Sequence, residues 1–208
     1  IYPLHVMWET GFMESLTSYF SDWFTHADKL SGRSLLDSVG EGRDWMVERS
    51  LAVPLRTIWG EMKENARLAS HHREQRGAMQ LLANYIKEAG KSGTKKGGKE
   101  WELHVVAHSA GSIFFAHMLQ HILELELPLK SVQFMAPAVE LKLFSETVFQ
   151  AASQNQCPLP ILYLLSDDGE REDTVGSQLV YGKSLLYLVS NACEEKRGTP
   201  ILGMNAFL

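Results

Sequence analysis

The apolar period of the chain changes several times, and each change predicts an element. Residues 2–8, YPLHVMW, form an apolar run ending at Glu9-Thr10-Gly11 and predict a buried strand. From Phe12 the period becomes helical, with Phe12, Leu16, Tyr19, Phe20, Trp23 and Phe24 at three-four spacing. This aromatic stripe reads as core packing, with the wall of an apolar pocket as the alternative. Residues 31–42 are polar and glycine-bearing and predict a loop. A second helical pattern starts at Asp44 and runs through Trp45, Glu48, Leu51 and Ala52. Pro54 should interrupt or kink it before Leu55, Ile58, Trp59 and Met62 resume the stripe. Ala78, Met79, Leu82, Tyr85, Ile86 and Ala89 make a third helix face, closed by Gly90 as C-cap. Residues 91–100, KSGTKKGGKE, then predict a solvated loop.

Beyond residue 100 strands and helices alternate. Residues 101–119, WELHVVAHSAGSIFFAHML, read as a strand, a small-residue turn around Ser109, and an apolar helix that runs to about Leu127 and stops at Pro128. Residues 131–136 predict a strand, and Leu141, Phe144, Val148 and Ala152 one face of a helix. Residues 160–166, PILYLLS, predict a buried strand, residues 182–192 a helix, and residues 200–204, PILGM, a last short strand. Such alternation predicts an α/β fold around a mostly parallel sheet with right-handed crossovers. The interval 12–99 is too long for one crossover and predicts extra cap helices within a single domain over 1–208.

Composition narrows the function classes. A chain of 208 residues, 45% hydrophobic and 22% charged, has a globular profile, and its net charge of -5 argues against a nucleic-acid surface. No run of eighteen apolar residues predicts a membrane span. Cys157 and Cys193 have no metal-ligand spacing and read as two unpaired buried thiols, which points to a reducing, cytoplasmic compartment. No cofactor or metal site is expected. His71-His72 reads as part of a solvated connector, and His117 and His121 as partly exposed helix residues without the Glu of a zinc motif. Gly182-Lys183-Ser184 ends like a phosphate loop, but five residues rather than four separate Gly176 from Gly182, and an acidic run precedes them.

The chemistry-bearing stretch is Ala107-His108-Ser109-Ala110-Gly111, a G-x-S-x-G pattern with Ala in the first place. Both outer positions must be small because the helix folds back onto its own strand. Such an elbow raises the Ser109 hydroxyl above the sheet edge and aims the Ala110 N–H at an oxyanion formed there. The alternative is an ordinary turn with a Ser N-cap. A Ser nucleophile needs a base and an orienting carboxylate, which in parallel sheets gather at the carboxyl ends of the strands. Asp167, directly after PILYLLS, is the first candidate acid; Asp168 and Asp173 are reserves, and a helix or turn cap is the competing role. His108 diverges from its neighbour Ser109, His104 lies in a strand read as buried, and His5 points into the sheet's packing, so none serves well as base.

On AHSAG, on the alternation and on the order Ser before Asp, the chain resembles the α/β-hydrolase superfamily of serine esterases and lipases over residues 2–204. YGKSLLYLVSNACEEKRGTPILGM is similar to a bacterial branch of it. The resemblance implies helices on both faces of the sheet and a serine hydrolase that cleaves a carboxylic ester, with Ser109 as nucleophile, Ala110 in the oxyanion hole and Asp167 orienting a His. The aromatic helices favour an apolar acyl or aryl substrate. The family's catalytic His follows its last strand, yet none occurs after His121, and the family's oxyanion loop should precede Tyr2. Both departures are expected of an internal piece of a longer domain, or of an inactive member acting as a binding or scaffold module.

Overall fold

The computed structural model describes residues 2–7, 11, 14–19, 21–22, 41–70, 77–97, 100–173 and 181–208. Two long helices, α1 (Glu41–Ala69) and α2 (Ala78–Gly97), precede strand β1 (Leu103–His108) and helix α3 (Gly111–Glu124). Strand β2 (Leu129–Met135) leads to α4, which is built from Leu141–Phe144, a π-helical turn Ser145–Phe149, and Gln150–Ser153. Strand β3 (Ile161–Tyr163), α5 (Asp167–Glu172) and α6 follow, the last made of Leu185–Leu188 and the π-helical Val189–Cys193.

The three strands form one parallel sheet in the order β1-β2-β3, so the α/β expectation holds. Ala107, Phe134 and Leu162 share one row of the register and turn toward the helices, where Phe115 and Phe144 meet Phe134 edge-on. The opposite face is open. Val106 and Met135 are 59% and 46% exposed, and Ile161 and Tyr163 are 52% and 50% exposed. Helices on both faces were expected, and among the described residues only one face is covered. A parallel sheet is ordinarily buried on both sides.

Several local expectations are corrected. Residues 2–7 carry no strand pairing and are exposed. Pro54 does not break α1. Leu51, Leu55 and Trp59 are buried on either side of it, and the carbonyl it leaves without a donor belongs to exposed Ser50. Gly90 lies inside α2 rather than at its end, because the Trp101 ring fills the place of its Cβ, 2.3 Å away; the loop expected over 91–100 is helical to Gly97. Helix α3 stops at Glu124, before the expected Leu127, with Glu126 in the left-handed region. PILGM makes a single antiparallel bridge, Ile201 to Glu140, since its next amides turn toward the carbonyls of Val139 and Pro137. Of the aromatic stripe, Leu16 is buried and Tyr19 packs on the core, while Phe12, Phe20, Trp23 and Phe24 lie outside the described residues. So do 31–40, His71, His72 and Gly176. Cys157 and Cys193 are buried free thiols, as expected. Among the described residues no helix is long and apolar enough to cross a membrane.

Candidate active site

Strand β1 delivers Ser109 to the carboxyl edge of the sheet, and α3 starts immediately after it. Ser109 has φ 48°, in the left-handed region, which costs a residue with a Cβ about 1–2 kcal/mol. Such a conformation persists only where its surroundings hold it. Here the Ser109 N–H donates to the Met135 carbonyl at 3.0 Å. Its own carbonyl accepts the Ser112 and Ala138 amides, both at 3.1 Å, and the Ser112 hydroxyl at 2.6 Å. The N-cap position of α3 belongs to Ala110, with no side-chain cap, so Ser109 is not an ordinary N-cap. A Cβ on Gly111 would stand 3.9 Å from that of Ala107, so the two outer positions do face each other, and Ala at the first leaves room. Among the described residues nothing accepts a hydrogen bond from the Ala110 amide.

Asp167 stands at the same edge of the sheet, beyond β3. With β2 between them, β1 and β3 run about 10 Å apart, two strand spacings. Asp167 opens α5, whose N-cap Ser166 accepts the Gly169 amide at 3.1 Å. Its two carboxylate oxygens accept the Tyr187 hydroxyl at 2.7 Å and Arg171 Nε at 3.0 Å. These bonds, Tyr187 first and Arg171 second, hold its carboxyl below the usual range. Asp168 and Asp173 are exposed, and their side chains hydrogen-bond no described residue. Glu170, one turn on, is buried and accepts the Ser184 hydroxyl at 2.6 Å; burial raises its carboxyl above the usual range.

None of the described histidines hydrogen-bonds Ser109 or Asp167. His104 is exposed rather than buried, since it projects from the open face, where Nδ1 lies 2.8 Å from the Ser131 hydroxyl. His108 is exposed on the same face, and His5 is exposed in the unpaired residues 2–7. His121, expected to be partly exposed, is buried with its Nε2 3.0 Å from the Ser70 carbonyl. Among the described residues no three His, Cys, Asp or Glu side chains could hold a metal ion. The phosphate-loop resemblance also fails in place: the Gly182 amide donates to the Asp44 carboxylate at 2.9 Å, and Ser184 caps α6.

Sequence reasoning missed two buried charge clusters. Glu48 accepts the Tyr181 hydroxyl at 2.8 Å, Asn191 at 2.9 Å and Arg197 Nη2 at 2.6 Å, tying α1 to residues 181–197. Lys63 donates to Glu140 and Glu194, at 2.6 and 2.5 Å, and Trp59 Nε1 donates to Glu194 at 2.6 Å. Burial opposes the Lys63 charge, but its two carboxylate partners outweigh burial and raise its pKa. Burial likewise lifts Glu194, whereas the Lys63 bond holds Glu140 low against burial. A groove of ≈ 420 Å³ opens beside them, lined by Lys63, Glu140, His117 and Cys193 among others. Lys63, Arg67 and Lys142 on its wall are each paired with carboxylates, Lys63 with Glu140 and Glu194, Arg67 with Glu64 and Lys142 with Glu146, so the Lys63 cluster reads as a structural staple. Lys63 stands 77 and 131 residues from its partners Glu140 and Glu194, and Glu48 is as remote from Tyr181, Asn191 and Arg197, so neither cluster leaves a local spacing signal. Comparison with family models, with curated proteins and with solved structures finds no match to this chain.

Proposed function

We propose that the chain carries the nucleophile and the acid of a serine hydrolase that cleaves carboxylic esters through an acyl-enzyme at Ser109. The observation that carries the reading is the left-handed Ser109 between a parallel strand and a helix, beside an Ala110 amide that nothing described accepts from. In the first half-reaction Ser109 Oγ attacks the ester carbonyl carbon and its proton passes to a histidine outside the described residues. The carbonyl oxygen becomes an oxyanion facing the Ala110 N–H. Collapse expels the alkoxide, which leaves as the alcohol with the proton returned from the imidazolium. Water then hydrolyses the acyl-serine by the same steps. Asp167 orients the histidine; each of its oxygens retains a lone pair beyond those given to Tyr187 and Arg171. The row His108, Met135, Tyr163 borders Ser109 with exposed apolar surface, which favours an apolar acyl or aryl group.

One observation favours a second reading, a hydrolase-fold binding module without turnover: both oxygens of Asp167 are already engaged and no described histidine reaches it. Turnover of p-nitrophenyl esters of short and medium acids by the full-length protein separates the two. The hydrolase reading expects turnover that Ser109→Ala lowers at least about a thousandfold. A folded protein with no turnover above the Ser109→Ala background leaves the binding module.

A further inference from the structure

We propose that Ser112 is a positioning residue for the oxyanion site, acting through the peptide bond that joins Ser109 to Ala110. Its catalytic consequence rests on the reading of Ser109 as nucleophile. The Ser109 carbonyl and the Ala110 N–H belong to one planar peptide, which is trans, as no cis bond occurs among the described residues. In a trans peptide the C=O and N–H point in opposite directions, so whatever holds one aims the other. Three donors hold this carbonyl: the Ser112 hydroxyl at 2.6 Å, the Ser112 amide at 3.1 Å and the Ala138 amide at 3.1 Å. The Ala110 N–H is thereby turned away from α3 and from the Ala138 turn.

A serine hydroxyl bonding back three residues is common at helix starts. Ser112 differs in what else it holds. It is fully buried, and its oxygen also accepts the Val139 amide at 3.1 Å, from a turn 27 residues away. That turn begins at Ala136, itself left-handed at φ 43°, whose N–H donates to the Tyr163 carbonyl. The single hydroxyl of Ser112 thus joins the end of β1 to the turn after β2. Without it the peptide plane keeps only its two amide donors and is free to tilt, and the oxyanion donor tilts with it. The sequence carried one hint, a small polar residue inside the apolar stretch SIFFAHML.

The test compares Ser112→Ala with wild type in the full-length protein, with Ser112→Cys as the near-isosteric variant should Ala fold poorly. Three readouts are taken well below the melting transition: the carbonyl carbon shift of Ser109 and amide exchange at Val139 by NMR, and ester kinetics. The expected result is a moved Ser109 carbonyl shift, lost protection at Val139, and kcat lowered about tenfold or more with KM within twofold. A residue that served stability alone would lower the melting temperature and leave kcat in place, which would overturn the proposal. If wild type shows no turnover, the nucleophile reading fails on its own; the NMR arm still decides whether Ser112 holds the peptide plane, and an unmoved Ser109 carbonyl shift refutes it.

Discussion

Adding one methyl group at Gly203 should cost stability, because two of the three atoms it would meet are backbone and cannot swing aside as a side chain can. A Cβ there would stand 2.4 Å from the Pro137 carbonyl oxygen, 2.9 Å from the Pro137 nitrogen and 2.7 Å from Leu186 Cδ1. Ordinary contact begins at 3.4 Å, so the backbone of one segment must retreat by about 1 Å. Overpacking of this kind costs about 1–3 kcal/mol. The retreat also stretches the bonds from the Gly203 amide to Pro137, at 2.8 Å, and from Leu202 to Val139, at 3.0 Å, each worth about 1 kcal/mol. A loss of about 3 kcal/mol results, or about 6–12 °C in melting temperature for a chain of this size. Gly60→Ala supplies the control. Nothing lies within 4 Å of its Cβ and it sits inside α1, so the same methyl should stabilise by about 1 kcal/mol. Calorimetry of the two variants reads both signs. A Gly203→Ala protein that melts within about 2 °C of wild type would refute the close packing of residues 201–204 on the Pro137 turn.

Other outcomes follow from the buried polar groups and from the open sheet face. Glu48→Ala strips the acceptor from the buried Tyr181 hydroxyl, Asn191 and the half-exposed Arg197 and should cost about 1–3 kcal/mol in urea unfolding, with Glu48→Gln intermediate. Glu170 binds its proton more tightly folded than unfolded. Its contribution is therefore fully present below the unfolded carboxyl pKa and is lost as pH rises through the raised folded value. Glu170→Gln keeps an acceptor for Ser184 and should flatten that fall in stability above pH ~4.5; an unchanged slope would place the titration elsewhere. The exposed Val106, Met135, Ile161 and Tyr163 predict concentration-dependent self-association in sedimentation. A double change of Val106→Lys and Ile161→Lys should relieve it without lowering the melting temperature.

Legibility tracked the range of the interactions involved. The Ser109 elbow was legible because it is local: a β-branched run, a small-residue turn and an apolar helix within residues 101–119. Strands β2 and β3 were legible as apolar runs, though three residues of β3 pair where seven were expected, because pairing ends with the neighbour's ladder. What failed depended on partners distant in sequence. The Trp101 ring, not a helix end, explains Gly90. The Pro137 and Val139 carbonyls took the amides that would have made PILGM a strand. Residues 2–7 have the composition of a strand, but composition does not supply a ladder. Asp167 was legible as a carboxylate just beyond β3, and Arg171 stands four residues after it, but Tyr187, twenty residues on, emerged only in three dimensions.

A nucleophilic Ser109 presented by this elbow should react with a fluorophosphonate, and the adduct on the full-length protein can be mapped by peptide mass. One adduct is expected, on Ser109, and it should disappear in a folded Ser109→Ala variant. A folded wild-type protein that stays unmodified, or one that carries its adduct on another residue, would contradict a nucleophilic Ser109.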